Sequence, residues 1–160
     1  MFRHRSILAV LALAFVPVRA AYAQDAQSQL WEAAIAGDTV AIGKALDAGA
    51  KIDSVDFRTN RNGRRALNWA AWHNRPAAIR TLLARGATID ATNSTGFTAL
   101  HHAAEAGSLD ALKALLAAGA RTDTPNAGGH LPVETANERG YSEVAALITD
   151  AERARKAAKP

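Results

Sequence analysis

"TGFTALHHAAEAGSLDALKALLAAGA", residues 95–120, carries two short helices and the stop of each. After Gly96 the segment is rich in alanine and leucine, and it predicts a first helix that ends at Gly107. Glycine suits that place because the left-handed conformation that closes a helix costs it nothing sterically. Ser108 stands where a hydroxyl can cap a second helix by accepting a backbone N–H bond. Leu112, Leu115 and Leu116 then recur at helical spacing and put one apolar stripe on one face. Gly119 ends that helix, and the polar stretch beyond it reads as a turn or hairpin.

The same grammar recurs along the chain. "NGRRALNWAAWHN" (62–74) lies over "TGFTALHHAAEAG" (95–107), and "LLARGATID" (82–90) over "LLAAGARTD" (115–123), each displaced by 33 residues. Gly63, Gly96 and Gly129 keep that spacing, as do Gly107 and Gly140. An earlier copy, "LWEAAIAG" (30–37) with "ALDAGAKID" (45–53), is offset by 37, so four extra residues sit within "SVDFRTNRN" (54–62). Gly37, Asn74, Gly107 and Gly140 are expected to end the first helices. Asp38, Ser108 and Ser142 are expected to cap the second ones, and Pro76 to open one.

A 33-residue unit of hairpin plus two helices is the ankyrin period. The chain resembles an ankyrin-repeat protein from about Leu30 to Asp150. Residues 95–120 are closest to the family's Gly-x-Thr-Pro-Leu-His-x-Ala-Ala pattern, with Ala99 in place of Pro. Copy two departs at Arg65, Ala66 and Asn68, and copy four at Leu131 and Glu134. The resemblance implies an all-α repeat solenoid of helix-turn-helix units joined by β-hairpin or turn loops. The units fall at about 28–56, 60–92, 93–125 and 126–152, within a domain of 24–155, before a basic tail of 153–160. Copies one and four are the expected caps of the stack.

The N-terminus has the layout of a secretory signal peptide. Arg3 and Arg5 precede the apolar run Ile7–Val16, Pro17 breaks it, and "AYA" (21–23) is a small-x-small cleavage site. The run is too short for the roughly 20 residues of a membrane span. Cleavage after Ala23 and export to a bacterial periplasm are expected. The formal charge of +4 would then fall, because three of the nineteen basic residues leave with the leader. That leaves sixteen against fifteen acidic residues, a net +1. With no cysteine, the chain has no disulfide, Cys-ligated zinc or Cys nucleophile.

Little in the sequence suggests catalysis. Gly-x-Ser-x-Gly, His-Glu-x-x-His and phosphate-cradling motifs do not occur. His101 and His102 are adjacent, so on a helix they point about 100° apart and do not converge on one ion. His101 falls on the family's structural histidine, which the resemblance assigns to a bond between hairpin and helix. Asp90 and Asp123 recur in phase, as repeat architecture does. No catalytic residue, cofactor or metal is therefore expected.

The remaining feature is a basic run. Arginines stand at 58, 61, 64, 65, 75, 80 and 85, and no acidic residue lies between Phe57 and Ile89. Arginine interleaved with tryptophan is able to grip nucleic acid, but export argues against that partner. The family resemblance implies another use. Residues beside the hairpin glycine, and the two after the Ala-Ala pair, line the concave binding face. By position these are Arg61, Asn62, Arg64, Trp72 and His73 in copy two. Copy three supplies Ser94, Thr95, Phe97, Glu105 and Ala106, and copy four His130, Glu138 and Arg139. Arg and Trp dominate protein-interface hot spots. Trp72 is either a partner anchor or packing against the neighbouring repeat, and Phe97 is equally open. Trp31 and Trp69 are expected to be buried. The expected function is a non-catalytic adaptor, a monomer that binds an acidic protein partner in the periplasm. The alternative is electrostatic attachment to an anionic envelope polymer or lipid surface. No stable membrane insertion is expected after cleavage.

Overall fold

The computed structural model describes residues 15–58 and 62–158, and among them lie eight helices. They pair along the chain: α1 (Phe15–Ala36) with α2 (Thr39–Asp47), and α3 (Ala66–Trp72) with α4 (Pro76–Ala84). Next come α5 (Ala99–Ala106) with α6 (Leu109–Ala117), and α7 (Pro132–Glu138) with α8 (Ser142–Ala157). The first helices α1, α3, α5 and α7 pack in one layer, and α2, α4, α6 and α8 in a second. This is the all-α repeat solenoid that the resemblance to ankyrin repeats implies. The β-pairing among the described residues is a single antiparallel bridge, Asp56 with Arg64.

The core repeats with the chain. Leu30, Leu67 and Leu100 are buried in successive first helices, and Ile42, Ile79 and Leu112 in successive second helices. Each such side chain contributes roughly 1.5–3 kcal/mol by leaving water. Between them Ala33-Ala34, Ala70-Ala71 and Ala103-Ala104 are buried and let the first helices approach closely. One repeat has no partner for its stripe, so stability comes from the stack.

The first helices end as the sequence predicts; of the expected starts of the second, Asp38 and Pro76 hold, while Ser108 and Ser142 do not cap. Asn74 adopts the left-handed conformation at φ 53° that Gly107 adopts at φ 67°. Asp38 caps α2, its Oδ1 accepting from the Val40 and Ala41 N–H groups at 3.0 and 2.9 Å. Ser108 does not cap α6, because its hydroxyl donates to the Trp72 carbonyl at 3.0 Å. Ser142 is the first residue of α8 and follows Tyr141, which gives no side-chain cap. The cap of α6 comes instead from the preceding repeat: Asn74 Oδ1 accepts the Ala111 N–H at 2.8 Å.

The departures of copies two and four from the family pattern keep one function. In α5 the Thr98 N–H donates to His101 Nδ1 at 3.2 Å. In α3 the Arg65 N–H donates to Asn68 Oδ1 at 2.9 Å, and in α7 the Leu131 N–H donates to Glu134 Oε2 at 2.6 Å. Three different side chains satisfy the same orphan donor at the helix start.

Of the expected leader, residues 1–14 lie outside the described residues. Residues 15–23 form the start of α1, which runs unbroken through the Ala21–Ala23 site. At the other end α8 reaches Ala157, so most of the expected tail is helical. Arg155 there donates to the Gly119 and Ala120 carbonyls at 3.2 and 2.9 Å.

Candidate functional site: an arginine clamped by two indoles

The hairpins share an anchor. Asn93 N–H donates to the Phe97 carbonyl at 2.9 Å, and Asn126 N–H to the His130 carbonyl at 2.9 Å. In the first hairpin Asp56 takes that place and pairs with Arg64, N–H to carbonyl at 2.7 Å and the reverse at 3.1 Å. The side chains follow the same rule. Oδ1 accepts the N–H two residues on, from Thr95, Gly128 or Arg58 respectively. The four extra residues therefore lengthen the first hairpin and leave its anchor intact. Arg64, Phe97 and His130 are thus equivalent positions, each delivered by its hairpin beside the first helix.

Arg64 lies over two tryptophans. Its guanidinium carbon is 4.6 Å from the Trp69 ring centroid and 4.4 Å from that of Trp72. Trp69 is buried and Trp72 half-buried. Trp69 stacks in turn on His73, one helical turn on, at 5.9 Å. The Trp72 edge meets His102 of the next repeat at 6.0 Å, and Phe97 lies 5.2 Å from His101 and 5.5 Å from His102. A contiguous aromatic cluster thus crosses repeats two and three, with one cation over its half-exposed edge at Trp72. Burial makes the Arg64 charge less favourable and draws its pKa down, although the Glu105 carboxylate works the other way.

His101 and His102 have opposite roles. His101 Nδ1 takes hydrogen bonds from Thr98, and its Nε2–H donates to the His130 carbonyl of repeat four at 3.1 Å. The network assigns the neutral Nε2–H tautomer. Burial lowers its pKa, against the His130 bond and Glu105. His102 is buried and neither ring nitrogen has a hydrogen-bond partner. Burial first, then Arg64 and His101, push its pKa down to about 3. Its Nδ1 stands 3.9 Å from the Glu105 carboxylate. Among the described residues no three His, Asp or Glu side chains gather as a metal site would require.

The expected site residues divide. Arg64, Trp72, His73 and Phe97 meet in the cluster just described. Glu105 borders it and binds Arg139 at 2.5 Å, while His130 is exposed and binds Glu138 at 2.8 Å. Asn62 is exposed, and its carbonyl accepts from the Ser94 N–H and hydroxyl at 3.1 and 2.6 Å. Arg61 lies outside the described residues. The sequence reading missed Trp69 and His102 as members of this surface. It also missed Asp56, a buried carboxylate bound by Arg58 Nε at 2.9 Å and Nη2 at 3.0 Å, and by Trp69 Nε1 at 3.1 Å. Burial raises the Asp56 pKa, but the Arg58 and Trp69 bonds outweigh it and leave the carboxyl below its ordinary value.

Most of the basic run is engaged within the fold. Arg58 binds Asp56 and, at 3.1 Å, Glu32. Arg65 donates to the Asp53 and Thr92 carbonyls, Arg75 to the Ile35 carbonyl at 3.0 Å, and Arg85 to Asp47 at 2.5 Å. Asp90, too, is repeat architecture, accepting the Arg121 N–H at 3.0 Å as Asp53 accepts that of Thr88 at 3.2 Å.

The paired helices, stacked at a 33-residue period, make this a helical repeat module that resembles ankyrin repeats. Comparison with known proteins agrees. A family model described as ankyrin repeats (many copies) matches residues 73–116. A stretch of 64 residues is 38% identical to the Ankyrin repeat domain-containing protein SAT10 of the fungus Stachybotrys chartarum. That stretch is 40% of this chain and 3% of SAT10, so the likeness covers a small part of a much longer protein. Among the described residues, no helix is long and apolar enough to cross a membrane.

Proposed function

We propose that this protein is a non-catalytic adaptor, exported to a bacterial periplasm, which binds a protein partner through the face built by Arg64, Trp72, His73 and Phe97. One observation carries the proposal. Arg139 and His130 on the same face have carboxylate partners in the fold, and Arg64, among the described residues, has none within ion-pair distance. A guanidinium placed over two indoles, with its charge disfavoured by burial, suits an acidic group on the partner. Contacts made before the partner arrives limit the ordering entropy that binding costs. Arg61, Asn62, Glu105 and the Arg139 pair extend the surface to either side.

The test compares the chain beginning at Gln24 with its Arg61→Ala/Arg64→Ala/Trp72→Ala variant against periplasmic extract. Loss of hot-spot side chains should lower partner affinity roughly 30-fold or more. Equal recovery of the same partners by both proteins would show that the interaction lies elsewhere. N-terminal sequencing of the exported form should begin at Gln24, and an intact Met1 would exclude the export route.

A further inference from the structure

We propose that Asp56 is the positioning residue of the arginine clamp. The clamp has two parts from different elements: Arg64 on the returning arm of the hairpin, and Trp69 on α3. Asp56 holds both. Its backbone makes the two bonds of the bridge to Arg64, at 2.7 and 3.1 Å. Its carboxylate accepts the Trp69 indole N–H at 3.1 Å, which fixes the ring on which Arg64 lies. Other side chains could bridge the hairpin, but Asn93 and Asn126 at the equivalent positions do less. Among the described residues their Oδ1 atoms accept only from their own hairpins, from Thr95 and Phe97 and from Gly128 and His130.

The charge of Asp56 fits this role. A 1% exposed carboxylate requires a counter-charge, and Arg58 supplies it through two side-chain bonds and one backbone bond. With both oxygens neutralised on the Arg58 side, the carboxylate still has a lone pair for the indole. Arg58 in turn lies 4.9 Å from the Trp31 ring and binds Glu32, so the anchor is fastened to repeat one. The arm that carries Arg64 is thereby tied to α1 on one side and α3 on the other.

This inference rests on the proposed binding face for its use but not for its test, which needs no partner. Ring currents from two indoles should displace the Arg64 side-chain proton resonances upfield in the folded protein. Asp56→Ala should return them to the position of a solvated arginine and accelerate hydrogen exchange at the Trp69 indole N–H. Both variants keep the backbone bridge, but Asp56→Asn also keeps an oxygen acceptor for the indole and should retain much of the displacement. The His101 ring resonances, one repeat away, should not move and so report an intact fold. Unchanged Arg64 resonances in folded Asp56→Ala would overturn the proposal. If that variant does not fold, replacing Trp69 by benzothienylalanine decides, since it keeps the fused bicyclic ring and substitutes sulfur for the tethered N–H. Loss of Arg64 order supports positioning by Asp56, and its retention overturns it.

Discussion

Two neighbouring histidines show how differently the same side chain behaves one position apart. His101 satisfies the Thr98 N–H and reaches the His130 carbonyl, so His101→Ala leaves the Thr98 N–H buried without a partner and takes one of its two donors from the His130 carbonyl. The expected cost is about 1–3 kcal/mol. His102 has no partner to abandon. His102→Leu should therefore leave stability at pH 7.5 unchanged or raise it, because replacing an unpaired polar group by an apolar one of similar size removes a desolvation cost. Urea midpoints of the two variants test this, and an equal loss in both would mean that His102 is bonded after all. Acid should expose the same contrast. Both rings have pKa values drawn below the ordinary 6.5, His102 to about 3. Below pH 6.5 the unfolded chain takes up protons that the fold refuses, so stability falls as pH drops from there toward 3. His102→Leu should flatten that fall, and an unaltered pH profile would refute the assignment. The role of His101 was legible in the sequence because it sits on a recurring motif position. The burial of His102 was not, because it depends on Trp72 and Phe97 arriving from different elements.

At the scale of the element, α6 depends on a residue it does not contain. Asn74 ends α3 in a left-handed conformation and caps α6 through Ala111. Asn74→Gly should keep the turn and lose the bond to the Ala111 N–H, at about 1 kcal/mol, the net worth of one hydrogen bond. Asn74→Ala should lose the cap and also carry a left-handed penalty of roughly 1–2 kcal/mol. The order wild type, glycine, alanine in thermal stability is the expected outcome. A glycine variant as stable as the wild type would show that the cap contributes nothing. Helix positions and stops were readable from glycines, asparagine and apolar spacing, because those are local. The caps were misassigned to Ser108 and Ser142 because spacing along the chain cannot show a side chain passing between repeats. Ser108 had a different task, holding the Trp72 carbonyl.

For the whole molecule the question is what its positive charge is for. The sequence offers a basic run and a basic tail, and either could grip an anionic polymer or membrane. In the fold Arg58, Arg65, Arg75 and Arg85 have internal partners, a fact no composition reveals because their acceptors lie up to 40 residues away. At the far end Arg155 covers the carbonyls at the close of α6. Arg153 pairs with Asp150 at 3.4 Å and Lys156 with Glu152 at 2.6 Å. Of these only Arg155 crosses between repeats, so only it should bear on the stability of the stack. Arg155→Ala should cost about 1.5–3 kcal/mol, the range for hydrogen bonds to a charged group. Deleting residues 153–160 should cost little more, since exposed ion pairs within one helix contribute only about 0.3–0.5 kcal/mol each. Retention of the chain beginning at Gln24 on anionic vesicles should be weak and equal with or without those eight residues. A deletion far more damaging than Arg155→Ala would give the rest of the tail a structural task. Vesicle binding that depends on the tail and disappears at high salt would instead make the charge a surface anchor.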